Sequence, residues 1–386
     1  MRLLYVSHSF PPPGRPLKNV GGMQRVATEL HAALRARSDV TLDDVLLRTS
    51  WRWTHLKTLP FLAKVYRQVK RRVEAGAADA VLFSSMVTAS TAWPLRSTLS
   101  EAGVPMATIA HGRDVTLPVW PYQRLLLPRV FGALDAVLPV SRATGQALRE
   151  RGLPERKVRV VPNGVDTERF APPRNRTAAR RALTSAADAS LPDDALLLCS
   201  VGRQVERKGF AWFVRRVMPR LPGNVHYWLA GDGPEADALR DAVDQHDLTG
   251  RVRLLGRVPE ALLQRLYRGS DLFVMPNVPV QGDMEGFGVV MLEASLSGLP
   301  VVAARLEGIR DVIAEGENGH LVESGDAGAF ADRIRQYRDD RAELREAAQR
   351  AARYTRRTFS WGAVAGEYVE ALRALTAEEP AVPVPA

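Results

Sequence analysis

Two carboxylates eight residues apart, Glu285 and Glu293, sit among glycine and apolar neighbours. That setting demands a charge partner or a ligand. The segment reads Glu285-Gly286-Phe287-Gly288, then Val289–Ser297 as a helix, then Gly298-Leu299-Pro300 leading into a strand. Glycines beside Glu285 expose main-chain amides, and the helix dipole favours negative charge developing there. For Glu293 taken alone, a partly exposed helix face is the simpler reading. A second group of charges lies in Gly202-Arg203-Gln204-Val205-Glu206-Arg207-Lys208-Gly209, directly after a strand-like run. Arg203 and Lys208 can grip two phosphates, one as a bidentate fork and the other as a point charge. The alternative is a solvated charged loop. No Gly-Lys-Ser/Thr follows the glycines, which excludes a Walker loop.

Three further turns have the right position and less specific chemistry. Gly231-Asp232-Gly233-Pro234-Glu235-Ala236 fits the loose dinucleotide fingerprint. A nicotinamide site would need an acidic residue ending the next strand, where Gly256-Arg257 stands, so that reading is rejected. The turn Gly256-Arg257-Val258 can offer main chain to a nucleobase edge, and is otherwise a plain turn. Gly21-Gly22 opens a helix whose free amides suit a phosphate, or simply ends a flexible loop. His111 follows Met106–Ala110 at a strand's carboxyl end, where functional side chains collect; outside such a site it reads as a structural histidine.

The elements that must position these groups alternate strand and helix. Leu3–Ser7, Ala80–Ser84, Met106–Ala110, Ala136–Val140 and Val158–Val161 read as strands in the first half. Leu196–Val201, His226–Ala230, Val252–Leu255, Leu272–Met275 and Pro300–Ala303 do so in the second. Met23, Val26, Ala27, Leu30 and Leu34 recur at helical spacing. Such alternation implies parallel sheets covered on both faces, here two doubly wound α/β domains. The sequence places a first domain at 1–170, a second at 171–358 and a loose tail at 376–386, with Arg174–Asp194 as a polar connection of little strand signal.

A chain of 386 residues exceeds the usual size of one core, and 46% hydrophobic with 25% charged residues is an ordinary globular composition. No apolar run reaches the roughly 18 residues needed to span a bilayer, and Met1–Phe10 lacks the features of a signal peptide. The single cysteine, Cys199, lies inside an apolar run with no disulfide or metal-ligand neighbours. These features predict a cytoplasmic protein. Residues 1–165 carry 24 Lys and Arg against 11 Asp and Glu, and the remainder 29 against 32, so the net charge of +10 belongs to the first part. Such a face attracts anionic surfaces or substrates.

Taken in order along the chain, the motifs resemble the retaining glycosyltransferases of family 4, which have the GT-B architecture of two Rossmann-like domains with a central cleft. The ordered set is Gly21-Gly22, His111-Gly112, Val161–Asp166, Val201–Gly209, Gly231–Glu235 and the Glu285/Glu293 pair. The resemblance implies a nucleotide-sugar donor whose diphosphate meets Arg203 and Lys208. Glu293 would take the ribose, and main chain at Arg257 and Val258 the base. Glu285 with the amides of Gly286, Phe287 and Gly288 would hold the transferred sugar. Gly21 and Gly22 would close over the phosphates, and His111 would sit near the reacting face. No Asp-x-Asp or His cluster appears, so no metal and no other cofactor is expected. The two glutamates are not read as a hydrolase pair, because a nucleotide-sized site and an Arg/Lys loop have no use there. Met275-Pro276-Asn277 carries Asn where many relatives have Ser. The lead-in Val278–Met284 resembles that of bacterial phosphatidylinositol-type mannosyltransferases, pointing to GDP-mannose and a lipid acceptor. Phe359–Leu375 resembles the terminal helices that pack back on the first domain.

From Arg48 to Arg72 there is no acidic residue, while Trp51, Trp53, Phe61 and Tyr66 interleave with eight cations. This suits either an anionic membrane surface or a solvated helix with its aromatics in the core. Nucleic acid is not expected as a partner, since no zinc-finger or RNA-recognition pattern is present. The expected activity is transfer of a hexose from a GDP- or UDP-sugar to a glycan or glycolipid hydroxyl. The competing readings are a non-catalytic sugar-nucleotide-binding or membrane-scaffold protein and a GT-B sugar-nucleotide epimerase.

Overall fold

The computed structural model describes residues 1–12, 22–49, 51–116 and 119–377. They form two compact units: Met1–Gly164 with Trp361–Ala386, and Val165–Ser360. The chain thus changes unit at 164/165 and 360/361, not at the 170/171 and 358/359 read from the sequence. Packing explains the shift. A Cβ on Gly164 would lie 2.5 Å from the Trp361 ring, while the Val165 amide donates to the Phe359 carbonyl at 2.8 Å. The helix Trp361–Ala377 belongs to unit 1, where the Trp361 indole donates to Glu29. Thr376 and Ala377 complete that helix and are no part of a loose tail; 378–386 lie outside the described residues.

Unit 1 is a five-stranded parallel sheet in the order β2-β1-β3-β4-β5. Its strands are β1 (Arg2–Phe10), β2 (Thr41–Arg48), β3 (Ala80–Phe83), β4 (Met106–Ala110) and β5 (Ala136–Pro139). Unit 2 is a six-stranded parallel sheet in the order β11-β10-β9-β6-β7-β8. Its strands are β6 (Leu196–Val201), β7 (Val225–Ala230), β8 (Val252–Gly256), β9 (Leu272–Met275), β10 (Val301–Ala304) and β11 (Gly319–Val322). The second order is that of the Rossmann fold, and it reverses between β6 and β9. In unit 1 the reversal falls between β1 and β3. Ligands of such sheets bind at the carboxyl ends of the strands flanking the reversal.

The central strands are legible because both faces are buried: Ala80–Phe83, Val225–Ala230 and Leu272–Met275 are buried throughout. Two strands absent from the sequence reading are both sheet edges. β2 carries Asp43 and Asp44 and is half exposed, and in β11 His320 and Leu321 are only half-buried. Val158–Val161, expected as a strand, makes a single bridge to β5. The Arg159 and Val161 amides donate to Val137 and Pro139. Pro139 has no N–H to return a bond to the Arg159 carbonyl, so the ladder stops. Arg174–Asp194 is no bare connection either. It holds the helix Arg176–Ala186, capped by Asn175, in which only Leu183 is buried. One apolar contact in eleven residues is too little periodicity to show.

Candidate functional site

In unit 2 the loops leaving β6, β7 and β8 continue the sheet's hydrogen bonding beyond the strands. The Gly202 amide donates to Ala230 at 3.0 Å, Gly231 to Gly256 at 2.7 Å, and Gln204 to Asp232 at 2.8 Å. This sets Arg203, the Gly231–Gly233 turn and the Gly256-Arg257 turn side by side. The glycines make the approach possible. A Cβ on Gly231 would lie 1.8 Å from the Gly202 carbonyl oxygen, and one on Gly233 2.2 Å from that of Gln204. Loop-on-loop packing therefore accounts for the dinucleotide-like spacing at 231–236. Across the reversal, a Cβ on Gly209 would fall 2.0 Å from the Pro276 carbonyl oxygen, and the Val278 amide donates to Arg207 at 3.0 Å. The loop after β6 is thereby joined to the loop after β9.

Where these loops meet, Lys208 and Glu285 form a buried ion pair, Nζ to Oε2 2.5 Å. The Asn277 amide donates to the same carboxylate oxygen at 3.2 Å, and Arg207 lies 3.4 Å from it while also reaching Asp283 at 3.2 Å. The Glu285 amide donates to Glu307 at 2.5 Å. Burial alone would raise the Glu285 carboxyl. The Lys208 and Arg207 cations, with the hydrogen bonds from Lys208 and Asn277, hold it below the usual carboxylate range. Burial lowers the Lys208 ammonium and pushes the Glu307 carboxyl up.

Of the residues picked from sequence, the structure joins Lys208 directly to Glu285. Lys208 also folds back over the loop's start, its Nζ 3.9 Å from where a Cβ of Gly202 would stand. Arg203 is exposed, and its guanidinium has no partner among the described residues. Gly286 is held by Gly308, whose Cβ would lie 2.1 Å from the Gly286 oxygen. Gly288 adopts φ +91° and starts the helix Val289–Leu296. The Phe287 ring is buried against Phe359. Glu293 is 2% exposed and accepts from the Tyr267 hydroxyl at 3.0 Å. Arg257 is exposed and Val258 half-buried after the β8 turn. Arg207, Asn277 and Glu307 were not picked. Arg207 adjoins Lys208 and could have been weighed with it, Asn277 stood out only as an Asn where many relatives have Ser, and Glu307 carries no local signal.

In unit 1, His111 lies just past β4. Its Nε2–H donates to the Ser84 carbonyl at 2.9 Å, leaving Nδ1 as an acceptor in the neutral ring. Its amide donates to Asp114 at 2.9 Å, and Asp114 also takes the Met86 amide at 3.4 Å. Ser84 and His8 stand beyond β3 and within β1, so these groups gather at the reversal of this sheet. Gly22 begins the helix Gly22–Arg35, whereas Gly21 lies outside the described residues. Cys199 is buried in β6 with its thiol pushed up to about 12, unsuited to reaction.

Residues 20–169 match the model of Glycosyltransferase Family 4, and residues 195–340 that of Glycosyl transferases group 1. The chain belongs to glycosyltransferase family 4. The putative colanic acid biosynthesis glycosyltransferase WcaL of Escherichia coli K12 is 28% identical over 358 residues, 89% of this chain and 83% of the relative. The GDP-mannose-dependent alpha-(1-6)-phosphatidylinositol monomannoside mannosyltransferase of Mycolicibacterium smegmatis is 27% identical over 86% of this chain and 88% of its own. Other curated relatives align over about half of their own length, 53% in one case and 51% in another. The crystal structure of Anabaena Alr3699/HepE in complex with UDP has the same fold, with TM-score 0.73 and 19% identity, covering 97% of this chain and all of that one. In this family 4 chain, His111 falls inside the first matched span, and Arg203, Lys208, Glu285 and Glu293 inside the second.

Proposed function

We propose that this family 4 enzyme is a retaining hexosyltransferase that works without a metal. Its donor would be GDP-mannose or a UDP-sugar, and its acceptor a hydroxyl of a glycan or lipid-linked glycan. The observation that carries the reading is the buried Lys208–Glu285 pair where the loops after β6 and β9 meet, in the same loop as Arg203, whose guanidinium has no partner among the described residues. An ammonium has three donors, so Lys208 can hold Glu285 and still meet a phosphate. With Arg203 it would neutralise a departing diphosphate, the role a divalent cation plays elsewhere. Glu285 and the amides of Gly286–Gly288 would take the sugar's hydroxyls. The buried Asn277 Oδ1, which has no hydrogen-bond partner among the described residues, adds an acceptor beside them. Glu293 is assigned to the ribose, main chain at Arg257 and Val258 to the base, Gly21 and Gly22 to the phosphates, and His111 to the sugar's reacting face.

In the proposed transfer, the acceptor oxygen bonds to the anomeric carbon on the face that the diphosphate leaves. The bond from that carbon to the phosphate oxygen breaks with its electron pair, and the acceptor's proton passes to the departing phosphate. GDP-mannose is the first donor to test because the mycobacterial relative depends on it. UDP-sugars follow because the Anabaena protein was solved with UDP.

Thermal-shift screening against GDP-mannose, UDP-glucose and UDP-N-acetylglucosamine is expected to single out one donor. At 100 times its Kd it should stabilise the fold by about 2.7 kcal/mol. Turnover should then release the nucleoside diphosphate only when acceptor is present, and EDTA should not slow it. Conversion of the sugar nucleotide without acceptor would establish an epimerase. Binding without turnover would establish a sugar-nucleotide-binding protein, and no shift with any donor overturns the proposal.

The lipid-linked acceptor draws support from the helix Trp51–Glu74 in unit 1. Among the described residues, no helix is long and apolar enough to cross a membrane. On this helix Phe61, Val65, Val69 and Val73 are buried, while Trp53, Leu56 and Leu59 are 55%, 70% and 76% exposed, next to exposed Lys57, Lys64, Arg67 and Arg71. Of the aromatics, Phe61 therefore belongs to the core and Trp53 does not. Exposed apolar groups interleaved with cations suit the headgroup layer of an anionic, cytoplasmic membrane face. The protein is expected to sediment with phosphatidylglycerol vesicles at low salt, and the triple replacement of Trp53, Leu56 and Leu59 by serine to stay in solution. Equal sedimentation of both proteins, or of neither, removes this part of the proposal.

A further inference from the structure

The connection that the sequence left without a task forms one wall of a cavity of about 1070 Å³, lined wholly by unit 2. Ala195 and Asp271 line it, the residues just before β6 and β9. It therefore opens at the amino ends of the strands whose carboxyl ends lead to Lys208 and Glu285. A strand as long as β6 separates the two ends by roughly 20 Å. Six arginines reach the cavity: Arg174, Arg176, Arg180 and Arg181 from the first wall, and Arg341 and Arg345 from the helix Arg341–Phe359.

Three of them hold the walls together. Arg176 donates to the Ser270 and Gly298 carbonyls, the latter at 2.9 Å. Arg180 bonds the Gly269 carbonyl and pairs with Asp271 at 2.6 Å, and Arg341 donates to the Asp194 carbonyl at 2.9 Å. The guanidinia of Arg174, Arg181 and Arg345 have no hydrogen-bond or ionic partner among the described residues. Three carboxylates, those of Asp193, Asp194 and Asp271, share the lining. Asp271 is already taken up by Arg180 and the Leu197 amide, and Asp194 accepts from Asn224. The cavity thus carries a surplus of three positive charges, carried by unpaired planar forks.

We propose that this cavity is a second ligand site, binding a compact, multiply phosphorylated solute through Arg174, Arg181 and Arg345. Its volume is just above the usual range of about 300–1,000 Å³ for small-molecule sites. Guanidinium forks match phosphate oxygens two at a time, and three of them balance the charge of a pyrophosphate group. A macromolecular polyanion would instead favour a long flat stripe of cations.

The test is isothermal titration of the full chain with inorganic pyrophosphate at low ionic strength. It is run once alone and once with saturating GDP and UDP, so that pyrophosphate binding near Lys208 is competed away. Wild type is expected to bind in both settings. Arg181→Glu/Arg345→Glu should weaken the binding that survives nucleotide by about 100-fold, with the melting temperature unchanged without ligand. Should that variant fail to fold, Arg181→Gln/Arg345→Gln is expected to weaken it by about tenfold. Loss of all pyrophosphate binding under saturating nucleotide would overturn the proposal, as would equal binding by wild type and a folded variant. Neither outcome depends on which sugar the enzyme transfers.

Discussion

Glu285→Gln is expected to lower kcat for transfer by about 10²–10³-fold, the scale of removing one aligned electrostatic group from an active site. The amide keeps the volume of the carboxylate and can still accept from Lys208 and Asn277, so the loop should keep its shape. Its charge is lost, however, and the buried Lys208 ammonium then has only a neutral acceptor where it had a carboxylate at 2.5 Å. Removing one member of a buried ion pair costs about 3–5 kcal/mol when nothing replaces it. The glutamine variant should fall below that range because its carbonyl still accepts.

A double variant separates stability from chemistry. Lys208→Met/Glu285→Leu exchanges the ion pair for two apolar groups of similar size, a change that is often neutral or stabilising for buried pairs. Its melting temperature is expected to recover to near wild type while transfer stays abolished. If transfer recovered together with stability, the pair would be structural only, and the assignment of Lys208 and Glu285 to the donor would fall. Steady-state kinetics with a saturating donor, alongside thermal melts of the three proteins, provide the comparison.

Gly231→Ala has the largest expected effect on folding. This glycine adopts φ +137°, a conformation that side-chain-bearing residues rarely take, and its new methyl would stand 1.8 Å from the Gly202 oxygen. Neither can yield freely. The Gly202 amide is tied to Ala230, and the Gly231 amide to Gly256. Backbone strain of about 1–3 kcal/mol and overpacking of a similar size should add. The result is a melting temperature lower by roughly 5–20 °C for a unit of this size. Because Gly202 begins the loop that carries Arg203 and Lys208, donor affinity should fall as well. Gly223→Ala is the control: nothing lies within 4 Å of its Cβ position, and its φ is not positive. It should change stability by no more than about 1 kcal/mol, upward if at all. A Gly231→Ala protein that melts with the wild type would show that the loops after β6 and β7 are not packed as described.

The strands buried on both faces could be read directly, because a parallel sheet covered by helices needs near-continuous apolar runs such as Leu272–Met275 and Val301–Ala304. Edge strands answer to no such demand. Thr41–Arg48 is largely exposed or half-buried and follows a mixed pattern, and in Gly319–Val322 only the two end residues are buried, so neither forms a continuous apolar run. Arg176–Ala186 is a helix whose apolar face is a single leucine, seated against Gly269 and secured by arginines that bond carbonyls nearly a hundred residues away.

The site divides along the same line. Local sequence marked Lys208 and Glu285 as candidates, because charge beside glycine is written in neighbouring residues, whereas Glu293 and His111 became candidates only through the ordered motifs of the family resemblance. Which charge meets which was decided by the fold. The reversal of strand order between β6 and β9 puts a loop at 208 beside one at 285, so Glu285 is held by Lys208, with Asn277 and Arg207 around it, while Glu293 turns to Tyr267. Pairings of this kind depend on distances through space between segments far apart in the chain, and a one-dimensional pattern carries no measure of that distance.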